Sequence, residues 1–288
     1  MDNLSTVAYW EDMPLDCLSI IFSKLGLDDL STSIPFVCKS WSQVSSHPFF
    51  YQIVDFRLLE LSPSSSFSKI FSSQYSLPRF TFSSFLKLAI ARSHGAANEI
   101  RFSPLFPPSM EVLSLASLAC PKLKVLGLPR VNFDDEVRFL NLISKWRDLE
   151  WLEMDSKPRN LREIAEQIGI HCSRFYGIKI CGLIGKEDVS GIVDFIPKIE
   201  VLDLSGSRIG KEEVLAILDG CRELKRLSLK DCVGFEADEE VRCRARGIKI
   251  FEFEGCRVED ELRASVDQSD ALEQMFMYFD DCYEMWML

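Results

Sequence analysis

One six-residue pattern, apolar at its first, fourth and sixth places, recurs through most of this chain. It reads ANEIRF from Ala97, LKVLGL from Leu123, LEWLEM from Leu149, FYGIKI from Phe175, IEVLDL from Ile199, LKRLSL from Leu224 and IKIFEF from Ile248, at intervals of 26, 26, 26, 24, 25 and 24 residues. The fourth and sixth places alternate like one face of a short strand. Between the patterns the apolar residues change to helical spacing, as in DDEVRFLNLISKW from Asp134, LREIAEQI from Leu161, GKEDVSGIVDFI from Gly185 and GKEEVLAILDGC from Gly210. A single strand and helix cannot bury their own apolar side, whereas stacked units share a continuous core. The chain is therefore predicted to form an α/β solenoid over residues 97–258.

These units resemble leucine-rich repeats, whose pattern L-x-x-L-x-L-x-x-N/C has a period of about 20–29 residues. The ninth place is Cys232 and Cys256 in the last two units and Ser207 in the one before, while Asn132 falls one residue late in the second. Cysteine at that place resembles the cysteine-containing repeat subclass. Ala97 replaces the leading Leu and makes the first unit the weakest. The resemblance implies a right-handed α/β horseshoe of about seven repeats. The same register accounts for other cysteines. Cys120, Cys172 and Cys221 each stand three residues before a strand pattern, where Trp146 and Ile196 stand in other units. Periodic placement means core packing, and no C-x2-C or H-x3-H spacing points to a metal. With no export signal, the ten cysteines are expected to be reduced.

Residues 13–50 divide into three short helices: one from Pro14 to about Gly26, one from Leu27 to just before Pro35, and one from about Phe36 to Ser45. On a wheel of about 100° per residue, Leu15, Leu18, Ile21, Phe22 and Leu25 share one sector of the first helix, and Cys17 and Ile20 widen the apolar arc to roughly 220°. That is about twice what a surface helix needs, so the unit calls for cover from a partner or from the repeats. The same residues resemble an F-box, the Skp1-binding module of cullin-based ubiquitin ligases. Its opening Leu-Pro appears as Met13-Pro14, its aspartate-rich turn as Leu27-Asp28-Asp29-Leu30 and its Val-Cys-x-x-Trp signature as Val37 to Trp41. Ile34-Pro35-Phe36 departs from the usual sequence before the last helix. The resemblance implies Skp1 contacts at Met13, Pro14, Leu15, Leu18, Ile21, Leu25, Leu30, Val37, Cys38 and Trp41.

The order of modules is most similar to plant F-box/leucine-rich-repeat proteins: a tail over 1–9, an F-box over 10–51, a linking segment over 52–96, repeats over 97–258, and an acidic cap or tail over 259–288. Residues 62–84 hold 10 Ser in 23 positions with Pro63 and Pro78, a loop composition. Ile53-Val54-Asp55-Phe56 reads as an extra divergent strand, and Phe82 to Arg92 as a helix covering the start of the repeats.

In each strand pattern the third and fifth places face the concave side. Arg101, Trp151, Glu153, Lys179, Asp203, Arg226 and Glu252 on those two columns are the candidate target contacts. Arg226 and Lys230 are read as an ion-pair cluster near Asp203, and Trp151 is the sharpest anchor because aromatics dominate binding energy at interfaces. The surface is mixed in sign with an apolar stripe, which suits a protein or peptide.

The formal charge of −11 argues against binding to nucleic acid or an anionic membrane. It is concentrated at one end, since residues 250–288 hold 11 Asp/Glu and 2 Arg. No apolar stretch approaches the ~18 residues of a membrane span, so a cytoplasmic or nuclear protein is expected. Gly185-Lys186 and Gly210-Lys211 lack the rest of a phosphate loop, and His47, His94 and His171 lie in separate segments with no catalytic motif around them. The expected function is that of a non-catalytic, cofactor-free substrate receptor. It would be joined through a Skp1-like protein to a cullin-RING ligase and hold a target protein for ubiquitination. A small-molecule or hormone receptor and a repeat scaffold without ligase role are the alternatives. The first predicts a saturable ligand effect on melting, the second no Skp1 binding.

Overall fold

The computed structural model describes residue 10, residues 13–129 and residues 136–258. Asn132, the start of the helix expected from Asp134, the tail over 1–9 and the acidic segment 259–288 lie outside the described residues. Three short helices come first, α1 (Leu15–Phe22), α2 (Leu27–Thr32) and α3 (Lys39–Ser45), with 3-10 turns at Ile34–Phe36 and Pro48–Tyr51. The third helix starts three residues later than its sequence suggests. Pro35 sits in the 3-10 turn, and Cys38 takes an extended backbone before the helix begins.

Ten strands are found among the described residues: β1 (Ile53–Asp55), β2 (Glu99–Arg101), β3 (Val125–Leu128), β4 (Trp151–Met154), β5 (Gly177–Ile180), β6 (Leu183–Ile184), β7 (Val201–Asp203), β8 (Arg208–Ile209), β9 (Arg226–Ser228) and β10 (Ile250–Glu252). Eight of them make one sheet in the order β1-β2-β3-β4-β5-β7-β9-β10, and β6 pairs with β8 beside it. Every pairing is parallel. Ile53, Glu99, Val125, Trp151, Gly177, Val201, Arg226 and Ile250 stand in one register row, so the third places of all units line up. The sheet has one strand more than the recurring pattern predicts, because β1 joins in the same register. Parallel neighbours need a crossover, and α6 (Met110–Ala119), α7 (Glu136–Ile143), α8 (Leu161–His171), α9 (Lys186–Phe195), α10 (Lys211–Gly220) and α11 (Glu239–Arg244) supply it.

The fourth and sixth places point between sheet and helices. Ile100, Leu126, Leu152, Ile178, Leu202 and Leu227 are buried there, and Phe251 of the last unit is half-buried. Cys120, Trp146, Cys172, Ile196 and Cys221 are buried at the helix-to-strand corners. Burial pushes the thiols of Cys120 and Cys221 up to about 11 and that of Cys172 to about 12, so all three are neutral at physiological pH. The ninth place has its own reason for being polar. Ser207, Cys232 and Cys256 donate to the carbonyls of Ile180, Leu204 and Leu229, each the sixth place of the preceding unit, at 3.5, 3.1 and 2.9 Å. The short side chain thus adds a donor at the turn; the Leu204 and Leu229 carbonyls also accept the N–H groups of Ser207 and Cys232, at 3.0 and 3.3 Å.

The segment that reads as a loop contains a helix. α4 (Ser66–Gln74) is capped by Ser65, whose Oγ accepts from the Ser68 N–H, and buries Phe71. It leads to α5 (Phe82–Ser93), capped by Thr81. Phe67, Phe71, Phe80 and Phe85 form one aromatic cluster with neighbouring centroids 4.9–5.8 Å apart, edge-to-face except for the tilted Phe67–Phe71 pair. Arg92 of α5 then ties the first helices to the repeats. Its guanidinium donates to the Leu30 carbonyl at 3.0 Å, to the Tyr51 hydroxyl at 2.7 Å and to the Tyr75 hydroxyl at 3.1 Å. The two tyrosines in turn donate to the carbonyls of Leu30 and Ser31. One hydrophobic core runs from Leu18 to Val241 without a break between the modules.

Candidate functional site

Two surfaces stand out. The first is on the N-terminal helices, where α1 and α2 bury Leu18, Phe22, Leu27 and Leu30 inside their own unit. Apolar side chains remain outside it. Ile20 is 67% exposed, Val37 56%, Leu15 46%, Phe36 44% and Ile21 41%, and Pro14 and Cys17 are also exposed. Monomers rarely leave such a group uncovered unless it meets a partner. Trp41 is half-buried between them and the core. Its ring lies edge-on to Phe22 at 5.3 Å and to Trp10 at 6.2 Å, and its indole N–H donates to the Trp10 carbonyl at 3.3 Å. Met13, Leu25 and Trp41 pack against the core with part of their surface outside, and Cys38 is half-buried.

The second surface is the open face of the sheet, opposite the helices. Two glycines let long side chains lie flat across neighbouring strands. A Cβ on Gly177 would stand 2.4 Å from the Trp151 ring, and one on Gly127 would stand 3.0 Å from Arg101 Cγ. Trp151 therefore spreads from β4 over β5, beside Val201 and 5.9 Å from the Tyr176 ring. Arg101 passes over β3 to reach Glu153 on β4. Glu153 also accepts from Lys179 at 2.8 Å and stands 4.0 Å from Arg57. Burial opposes its ionisation, but the hydrogen bond and charge of Lys179 and the charges of Arg101 and Arg57 outweigh this and hold its carboxyl below the usual range. Asp155 lies two places beyond Glu153, in the next column of the open face, and moves the other way, raised by burial and by the Glu153 charge. Arg57 is itself bound by Asp55 at 2.6 Å.

Residues 10–53 match the family described as F-box domain. F-box protein FBW2 of Arabidopsis thaliana is 25% identical over 240 residues, covering 81% of this chain and 71% of that protein. An F-box/LRR-repeat protein of the same plant is 28% identical over 232 residues, with 76% and 71% covered. F-box protein SKIP19, also from Arabidopsis thaliana, is 23% identical over 283 residues, with 96% and 88% covered. The chain carries an F-box domain and is similar over most of its length to plant F-box/leucine-rich-repeat proteins.

Within this F-box-containing chain the residues singled out by sequence fall into distinct groups. Pro14, Leu15, Ile21 and Val37 are on the surface, Met13, Leu25, Cys38 and Trp41 are partly so, and Leu18 and Leu30 are enclosed by their own unit. On the open face Arg101, Glu153 and Lys179 meet in one ionic group, with Trp151 beside it. Asp203 stands apart, accepting from the Ser205 N–H at 3.0 Å. Arg226 and Lys230 do not cluster with Asp203; both bind Glu252, at 2.8 and 2.5 Å, because that carboxylate is on the next strand in the direction their side chains take. Sequence reasoning did not select Trp10, Ile20 or Phe36 on the first surface, although the overwide apolar arc of α1 signals Ile20. It also passed over Arg57 and Asp155, which occupy the place two beyond the fifth.

Proposed function

We propose that this chain is the substrate-recognition subunit of an SCF-type ubiquitin ligase. The exposed apolar group on α1 and before α3 is the observation that carries this reading. It is a surface that the chain's own repeats leave uncovered, within the segment matching the F-box family. Pro14, Leu15, Ile21 and Val37 form the contact with a Skp1-like adaptor, Met13, Leu25, Cys38 and Trp41 border it, and Leu18 and Leu30 support it from beneath. The repeats, read as a right-handed horseshoe of about seven units with β1 as a divergent first strand, hold a target protein on their concave open face. Trp151 with Arg101, Glu153, Lys179, Asp203, Arg226 and Glu252 is the contact set. The chain performs no bond chemistry. Ubiquitin transfer occurs on partner subunits, and this subunit supplies proximity and orientation.

Replacing Ile21 and Val37 together by Asp tests the adaptor contact, since neither is part of the buried core. The double variant should keep the wild-type melting temperature and lose co-purification with a Skp1-like protein by at least about tenfold, an effect of ~1.4 kcal/mol or more. Undiminished co-purification would count against the assignment.

A further inference from the structure

All five cations in the three open-face columns are committed to carboxylates of the chain itself. Arg57 binds Asp55, Arg101 binds Glu99 and Glu153, Lys179 binds Glu153, and Arg226 and Lys230 share Glu252. Asp155 and Asp203 make no ion pair among the described residues. Asp203 ends β7 and Asp155 directly follows β4, to either side of the Lys179 strand, whose charge both feel without a direct ion pair; Asp203 stands two places from Val201 of the apolar slab made by Trp151 and Val201. The middle of the open face thus offers an apolar platform with one carboxylate beside it, Asp203, and a second further along, Asp155, that no cation among the described residues binds directly.

We infer that this part of the face takes a segment of the target that carries an aliphatic or aromatic side chain for the Trp151–Val201 platform and a Lys or Arg for Asp155 and Asp203. The inference deepens the proposed function and rests on its reading of the open face as the target site. Successive residues on one side of a strand are about 7 Å apart, which is the separation of Val201 from Asp203 along β7. An extended segment running with the strands therefore places its apolar residue at i and a basic residue for Asp203 at i+2, with Asp155 adding negative charge further along, on the other side of Lys179. A preference for acidic segments would require free cations on this face, and none of the five is free. Asp155 supports the same reading from stability. Burial and the neighbouring Glu153 make its carboxyl harder to ionise here than in water, and the charges of Lys179 and Arg57 offset this only in part, so a cation from outside would relieve it.

Selection of random linear peptides displayed on phage, with the full chain bound to a Skp1-like protein as bait, tests this. The retained peptides should share an aliphatic or aromatic residue two positions from Lys or Arg. Synthetic copies should bind the double variant D155N/D203N and the variant W151A at least about tenfold more weakly than wild type, and should weaken as salt is raised. Asn keeps the shape and the oxygen that accepts from Ser205, so the double variant should melt no lower than wild type. Acidic or uncharged consensus peptides, or equal binding to wild type and D155N/D203N, would overturn the basic-segment inference while loss in W151A alone leaves the target face standing. Peptides indifferent to both variants, or none retained, would overturn the inference together with the target-binding half of the proposed function; continued Skp1 co-purification of both variants reads out the adaptor half separately.

Discussion

Three cations converge on Glu153 from β5, β2 and the turn after β1, and among the described residues no other carboxylate of the open face is shared so widely. Its folded carboxyl titrates below the ordinary 4.5. A depressed carboxylate contributes stability that is complete above its unfolded value and is lost as pH falls through the folded one. Wild-type protein should therefore lose melting temperature as pH drops below about 4.5, and the variant E153Q should lose less over that range. At neutral pH E153Q should already be destabilised by about 1–2 kcal/mol, because the amide carries no charge to offset those of Arg101 and Lys179, while Glu99 still holds Arg101 and water screens the exposed part of Lys179. Melting curves between acid and neutral pH check both. A parallel decline in the two proteins would mean that Glu153 is not the group titrating. The columns containing these residues were legible from the alternation of each strand. Their pairings were not, because a long side chain on one strand chooses among carboxylates on two or three neighbours by rotamer and by where a glycine leaves room.

At the level of elements, α4 shows a composition overruled by packing. Serine is a weak helix former, yet Phe67, Phe71 and Tyr75 recur every four residues and bring one face onto Phe80 and Phe85. Helical stability in proteins comes mostly from such a face rather than from propensity. The variant F71A should cost about 3–5 kcal/mol in urea unfolding, whereas S73A, on an exposed side of the same helix, should change stability by less than about 0.5 kcal/mol. Similar losses from both would mean that α4 is not anchored through its aromatic face. β1 was legible only as a doubtful extra strand for a related reason. YQIVDF from Tyr51 has the same apolar places as the other strand patterns, but 46 residues separate it from Ala97 instead of about 25, since α4 and α5 fill the interval. The regular units were readable because each repeats one solution to the same packing problem, and the segments around α3, α4 and β1 solve it once.

Across the whole molecule, the guanidinium of Arg92 meets α2, the turn before β1 and the end of α4 at once, alongside the direct bonds from Tyr51 and Tyr75 to α2 carbonyls. It also stacks over the Tyr51 ring at 5.6 Å. The variant R92M keeps the aliphatic stem and removes the donors. It should destabilise the chain by about 1–3 kcal/mol and raise hydrogen exchange in α1–α3 while leaving β3–β9 protected. Equal acceleration in both modules would show that Arg92 serves the common core and not the junction.

That junction is built from two aromatic rings, a planar cation and backbone carbonyls, with no stretch of peptide free to swing. A target gripped by the sheet would be carried at one bearing relative to the adaptor, so its lysines would be sorted by their position on its surface. Two proteins bound with equal affinity would then be turned over at different rates for reasons of angle alone.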